Sequence, residues 1–137
     1  MNISHLAKVE LHLHLEGAAP PAFIRQLAYE KKVDIGGIFA PDGRYAFGGF
    51  TEFLAVYEAA TQVLQSPEDF HRLTLAVLAE CAANDVIYVE SFLSPEFCGG
   101  GDLSAWREYL QAIREAAAQA EAQHGILMRG IPTCIRH

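Results

Sequence analysis

The chain has 137 residues, 51% of them hydrophobic and 20% charged, a globular composition that excludes disordered, collagenous and fibrous classes. Ten Lys and Arg against 17 Asp and Glu give a formal charge of −7 with no basic cluster, which argues against nucleic acid and acidic membrane surfaces as partners. No apolar stretch approaches the roughly 20 residues of a membrane-spanning helix, and residues 1–10 lack the features of a secretory signal, so the cytoplasm is the expected compartment.

Lys8 to Glu16 (KVELHLHLE) alternates strictly and predicts a strand. Val9, Leu11, Leu13 and Leu15 fall on one face, and Lys8, Glu10, His12, His14 and Glu16 on the other. Gly17 ends it, and Pro20-Pro21 open a helix with Phe23, Ile24, Leu27 and Ala28 at helical spacing. Asp34 to Phe50 holds five glycines and a Pro41-Asp42-Gly43 turn, which predicts a long irregular connection, and such connections tend to be functional. A helix is expected from about Thr51 to Gln65, showing Phe53, Leu54, Tyr57, Ala60 and Leu64 on one side. Ser66 as N-cap and Pro67 at the first helical position start the next, which runs to about Asn84.

Val86 to Phe92 (VIYVESF) is short, β-branched and aromatic, and predicts a second strand closed by Ser94-Pro95. After Gly99-Gly100-Gly101, Asp102 to His124 reads as a helix stopped by Gly125, and Ile126 to Arg136 as a third strand. The order implies an α/β fold of parallel strands joined by right-handed crossovers. Residues 1–137 show no second domain. Three strands leave a parallel sheet short of partners, so self-association through open strand edges is expected.

On a strand, residues i and i+2 project from one face about 6–7 Å apart, so His12 and His14 can turn two imidazoles toward one metal ion. Neutral imidazole suits zinc, and a catalytic zinc takes three protein ligands plus an open position. The other strands are apolar, which places this polar face in a buried sheet interior, where polar groups want partners or metals. Glu16 continues the same face at the strand's C-terminal end, where α/β folds place their ligands, and becomes a candidate substrate contact. Cys81, Cys98 and Cys134 form neither a disulfide framework nor a Cys-x-x-Cys zinc site and read as reduced thiols, none a nucleophile. His5, His71 and His124 read as surface or packing residues, and His137, near the end of the third strand, as a remote substitute ligand. His14-Leu15-Glu16 matches half of the cytidine-type zinc deaminase motif, but the Pro-Cys-x-x-Cys half is missing.

The run Lys8-Val9-Glu10-Leu11-His12-Leu13-His14-Leu15-Glu16-Gly17 strongly resembles the opening strand of the adenosine deaminase family, zinc hydrolases of the amidohydrolase superfamily. Phe53-Leu54 and Tyr57 resemble the family's helix that lids the purine pocket. Val89-Glu90 with Ser94-Pro95 resembles its second strand and turn, and Arg129 with Cys134-Ile135-Arg136-His137 its third. The resemblance implies a (β/α)8 TIM barrel, a fold of about 250 residues, of which this chain supplies the first three or so strands and their helices.

It also implies Zn2+ held by His12 and His14 with two later ligands, and a nucleoside contacted by His14, Glu16, Phe53, Leu54 and Tyr57. The reaction implied is hydrolytic deamination of adenosine and 2′-deoxyadenosine to inosine and ammonia, with the acid and base residues beyond His137, so that this chain alone is inactive. Adenine or another aminated purine is the alternative substrate, and a catalytically dead interaction module the non-enzyme alternative. Two positions depart from the family: Glu16 stands where aspartate is frequent, and Phe92 where relatives commonly carry arginine.

Overall fold

The computed structural model describes residues 5–136. The strands β1 (Lys8–His14), β2 (Val86–Leu93) and β3 (Leu127–Pro132) form one sheet in the order β1-β2-β3, with both pairings parallel. The helices are α1 (Pro21–Lys31), α2 (Phe50–Thr61), α3 (Pro67–Ala83) and α4 (Leu103–His124). Short 3-10 turns at Glu16–Ala18 and Gly36–Ile38 flank α1. Among the described residues, no helix is long and apolar enough to cross a membrane.

Local chemistry sets the helix limits. Ser66 Oγ accepts from Asp69 N at 3.2 Å to cap α3, and Asp102 Oδ1 accepts from Ala105 N at 2.8 Å to cap α4. Gly125, at φ 71°, adopts the left-handed turn that ends α4. The glycine-rich connection is less irregular than its composition suggests, because an isolated antiparallel bridge pairs Phe39 with Tyr45.

Side chains alternate cleanly along β2: Val89, Ser91 and Leu93 are buried, whereas Tyr88, Glu90 and Phe92 are half-buried. Val89, Leu93 and Met128 from the sheet pack with Phe70, Leu73, Leu78 and Ile113 from α3 and α4 in one hydrophobic core. The helices therefore cover one face of the sheet. Ser91 contributes a hydroxyl to this core with no hydrogen-bond partner among the described residues.

Three expectations from the sequence are corrected. The alternation of β1 is broken by register shifts between Lys8 and Val9 and between Glu10 and Leu13. An irregular register re-aims the side chains of an edge strand. Leu13 and Leu15 reach the core, but Val9 and Leu11 are 58% and 56% exposed. Second, β1 ends at His14, and Glu16 belongs to the 3-10 turn that follows. Third, β3 ends at Pro132, leaving Cys134, Ile135 and Arg136 outside the ladder; His137 lies outside the described residues. β3 stops where its partner does: Leu93, the last residue of β2, stands opposite Pro132 and accepts from Thr133 N at 2.9 Å.

Two ion pairs tie α1 to α3. Lys31 pairs with the buried Asp69, and Arg72 forks onto Glu30 at 2.8 and 3.1 Å. The Arg72 bonds, helped by Gln26, pull the Glu30 carboxyl from its ordinary 4.5 down to about 2. A folded-state value below the unfolded one stabilises the fold above pH 4.5, and that stabilisation is lost as pH falls toward 2. Urea unfolding of the wild type and Arg72→Ala should therefore show a stability gap that closes across this acid range. A gap independent of pH would contradict the assignment.

Candidate functional site

His12 and His14 sit together at the C-terminal end of β1. Their ring centroids are 5.6 Å apart, and both rings lean on Phe92, at 4.5 and 5.2 Å. The parallel register explains the grouping: His14 is the direct partner of Phe92, so both project from the sheet face opposite the buried Ser91 and Leu93. Both histidines are solvent-exposed, which corrects the expectation of a buried polar interior: β1 is an edge strand and its histidine face is left accessible. Neither imidazole has a hydrogen-bond partner among the described residues, so the ring nitrogens are free to act as donors to a metal. The pair supplies two ligands. No group of three His, Cys, Asp or Glu able to hold a metal occurs among the described residues.

Glu16 is only 4% exposed, in the 3-10 turn two residues past His14. Its Oε1 accepts a hydrogen bond from the phenol of Tyr57 on α2. Burial first, then the Glu16 charge and its bond, push the Tyr57 phenol above its ordinary 10, so it remains a donor. Phe53 and Phe97 hold the Tyr57 ring, each with its centroid 6.1 Å away. Burial and the Glu16 charge push the thiol of the buried Cys98 up to about 12, so it stays protonated at neutral pH.

Glu16, Gly17, Tyr45, Phe47, Phe53, Val56, Tyr57 and Ala60 enclose a narrow cleft of about 30 Å³. Of the five residues expected from the sequence to contact substrate, Glu16, Phe53 and Tyr57 line this cleft. His14 adjoins it, since a Cβ built on Gly17 would lie 3.5 Å from His14 Cβ. Leu54 does not line it and is 49% exposed on α2. Helical spacing explains the difference: residues 53 and 57 share a face at i and i+4, while residue 54 is turned about 100° away.

Sequence reasoning did not single out Tyr45, Phe47 and Gly17. The first two lie in the glycine-rich connection already marked as a functional type of segment. Tyr45 is fixed there by donating from its hydroxyl to Ala19 O at 2.8 Å.

The family model described as adenosine deaminase matches residues 7–137. The chain belongs to the adenosine deaminase family. Its curated relatives include adenine deaminases of Agrobacterium fabrum, 41% identical over 134 residues, and of Chelativorans sp., 39% identical over 132. These alignments take in 98% and 96% of this chain but 41% and 40% of the relatives, so the chain spans about two-fifths of their length.

Among solved structures, adenine deaminase from Arthrobacter aurescens superposes with a TM-score of 0.73 at 27% identity, over 92% of this chain and 39% of that one. An amidohydrolase from Burkholderia ambifaria with bound Zn gives 0.75 at 28%, over 95% and 36%. The three parallel strands and their helices are thus a portion of the family's (β/α)8 barrel. The chain is a member of a deaminase family, and the relatives named here are adenine deaminases, whereas the sequence motif raised the expectation of adenosine.

Gly17 is where the site is tightest: an added Cβ would stand 2.6 Å from Tyr57 Cε2. Gly17→Ala should destabilise the fold by about 1–3 kcal/mol through overpacking against the Tyr57 ring. In a double-mutant cycle read by urea unfolding, that cost should largely vanish when Tyr57 is already alanine. Equal costs in both backgrounds would show that the ring is not what Gly17 accommodates.

Proposed function

We propose that this chain is the N-terminal part of a zinc-dependent adenine deaminase, which hydrolyses the exocyclic amine of a free purine base and releases ammonia. The observation that carries this reading is the His12–His14 pair, with uncommitted ring nitrogens, at the C-terminal end of the first parallel strand beside an aromatic cleft. That end of the strands is where (β/α)8 barrels hold their active sites. Supporting it are relatives named adenine deaminase and a structural neighbour with bound Zn.

Two imidazoles side by side fit half of a tetrahedral zinc site, and the rest of the donor set has to come from the strands that complete the barrel. Zinc, when bound, supplies Lewis-acid activation of water at neutral pH. The chain's own residues do the positioning. Phe92 backs both imidazoles, limiting the rotations that would separate their donor nitrogens. Phe53 and Tyr57 offer aromatic faces to a planar heterocycle, and Leu54 lies on the outer side of the same helix. Glu16 is the carboxylate that lines this cleft and is engaged by Tyr57. The partner is therefore a small aminopurine. The unpaired strand edges are filled by the missing strands, or by a second copy when the chain is isolated.

The test is turnover by the complete enzyme carrying residues 1–137, with ammonia release measured on adenine and adenosine. Adenine should be the better substrate by kcat/KM. Preference for adenosine, or inertness toward both, would refute the proposal. His12→Ala and His14→Ala should each lower zinc, measured by metal analysis, well below one per chain. Each should also reduce kcat/KM more than about 100-fold, since even outer-shell changes at zinc sites cost 10- to 100-fold. Retention of full zinc by either variant would remove that histidine from the ligand set.

A further inference from the structure

Phe47 lines the cleft from the glycine-rich connection, and its backbone is fastened on both sides. Before it, the Tyr45 hydroxyl is tied to Ala19 O, and Ala46 N donates to Ile38 O at 2.9 Å. After it, Gly48 N donates to Glu52 Oε2 in the first turn of α2 at 2.6 Å. The side chain held in this way does not enter the core, because Phe47 is 52% exposed. Its ring meets Phe53 edge to face instead, with centroids 5.3 Å apart and planes at 74°. Tyr57 and Phe50, the other rings beside Phe53, stand farther off at 6.1 and 6.4 Å.

From these contacts we infer that Phe47 is a positioning residue for the base site: acting through Phe53, it fixes the plane of a ring that the aminated heterocycle meets. This rests on the adenine deaminase reading above. A ring edge is positive and a ring face negative, so aromatic pairs favour edge-to-face and offset arrangements, and an anchored ring biases the tilt of its neighbour. Phe53 needs that bias. It is itself 38% exposed, on a helix that buries only Ala60, so core packing does little to hold it. A ring set in place before the substrate arrives spares binding the cost of ordering it, and the gain falls on substrate affinity rather than on the chemical step.

The test compares Phe47→Ala, Phe47→Leu and Phe47→Tyr in the complete enzyme, with kcat and KM measured for adenine and thermal unfolding confirming that each variant is folded. Alanine and leucine should each raise KM about three- to tenfold, the worth of one aromatic pair, with kcat changed less than about twofold. Tyrosine keeps the ring and should restore KM to within about twofold of the unmutated enzyme. In a Phe53→Leu background, Phe47→Ala should add less than about twofold, because the ring it acts through is gone. A smaller rise in KM, a loss carried by kcat, or full function with leucine would each overturn the inference, the last by showing that apolar packing alone suffices. An undiminished rise in the Phe53→Leu background would overturn it as well, by showing that Phe47 does not act through Phe53. Failure of the underlying reading looks different: it is seen in the unmutated enzyme, as a preference for adenosine or no turnover of either compound.

Discussion

The parallel pairing of β1 with β2 is the constraint on which the site depends. His14 stands opposite Phe92 in the ladder, and that single register position places two imidazoles and a phenyl ring on one face while Leu13 and Ser91 turn toward the helices. A slip of one residue would exchange the faces and send the histidines into the apolar core. The core formed by Val89, Leu93 and Met128 with α3 and α4 resists that slip, because it would also expose those side chains. Packing on the covered face thus fixes chemistry on the open one.

Much of the fold was legible in the sequence. The Ser66 cap and the left-handed stop at Gly125 are short-range signals, and each operates where expected, whereas Asp102, expected as the first helical residue, caps α4 instead. The three strands were visible as β-branched or alternating runs. What could not be read was register. The shifts in β1 arise from its fit to β2, so the alternation KVELHLHLE overstates how many of its leucines and valines reach the core. The early end of β3 and the return of Glu16 into a turn likewise depend on tertiary packing.

The site was partly legible for the same reason. The His-x-His spacing is local, and period-two geometry carries it directly to a shared ring cluster. Phe53 and Tyr57 share a helix face by spacing, whereas Leu54 joins them only in sequence. The bond between Tyr57 and Glu16 spans 41 residues and depends on α2 docking onto the turn after β1. Nothing in either local segment announces it. Substrate choice also lay beyond the motif, since adenine and adenosine share the reacting amidine and differ only in what surrounds it.

One property of the cleft wall has a broader chemical result. Its lining is aromatic and aliphatic apart from a single carboxylate, and it contains neither lysine nor arginine. On the side supplied by this chain, a phosphorylated nucleotide would meet a like charge with no counter-cation, in a molecule whose overall charge is already −7. Among the described residues, this wall accordingly suits an uncharged aromatic surface better than an anionic one.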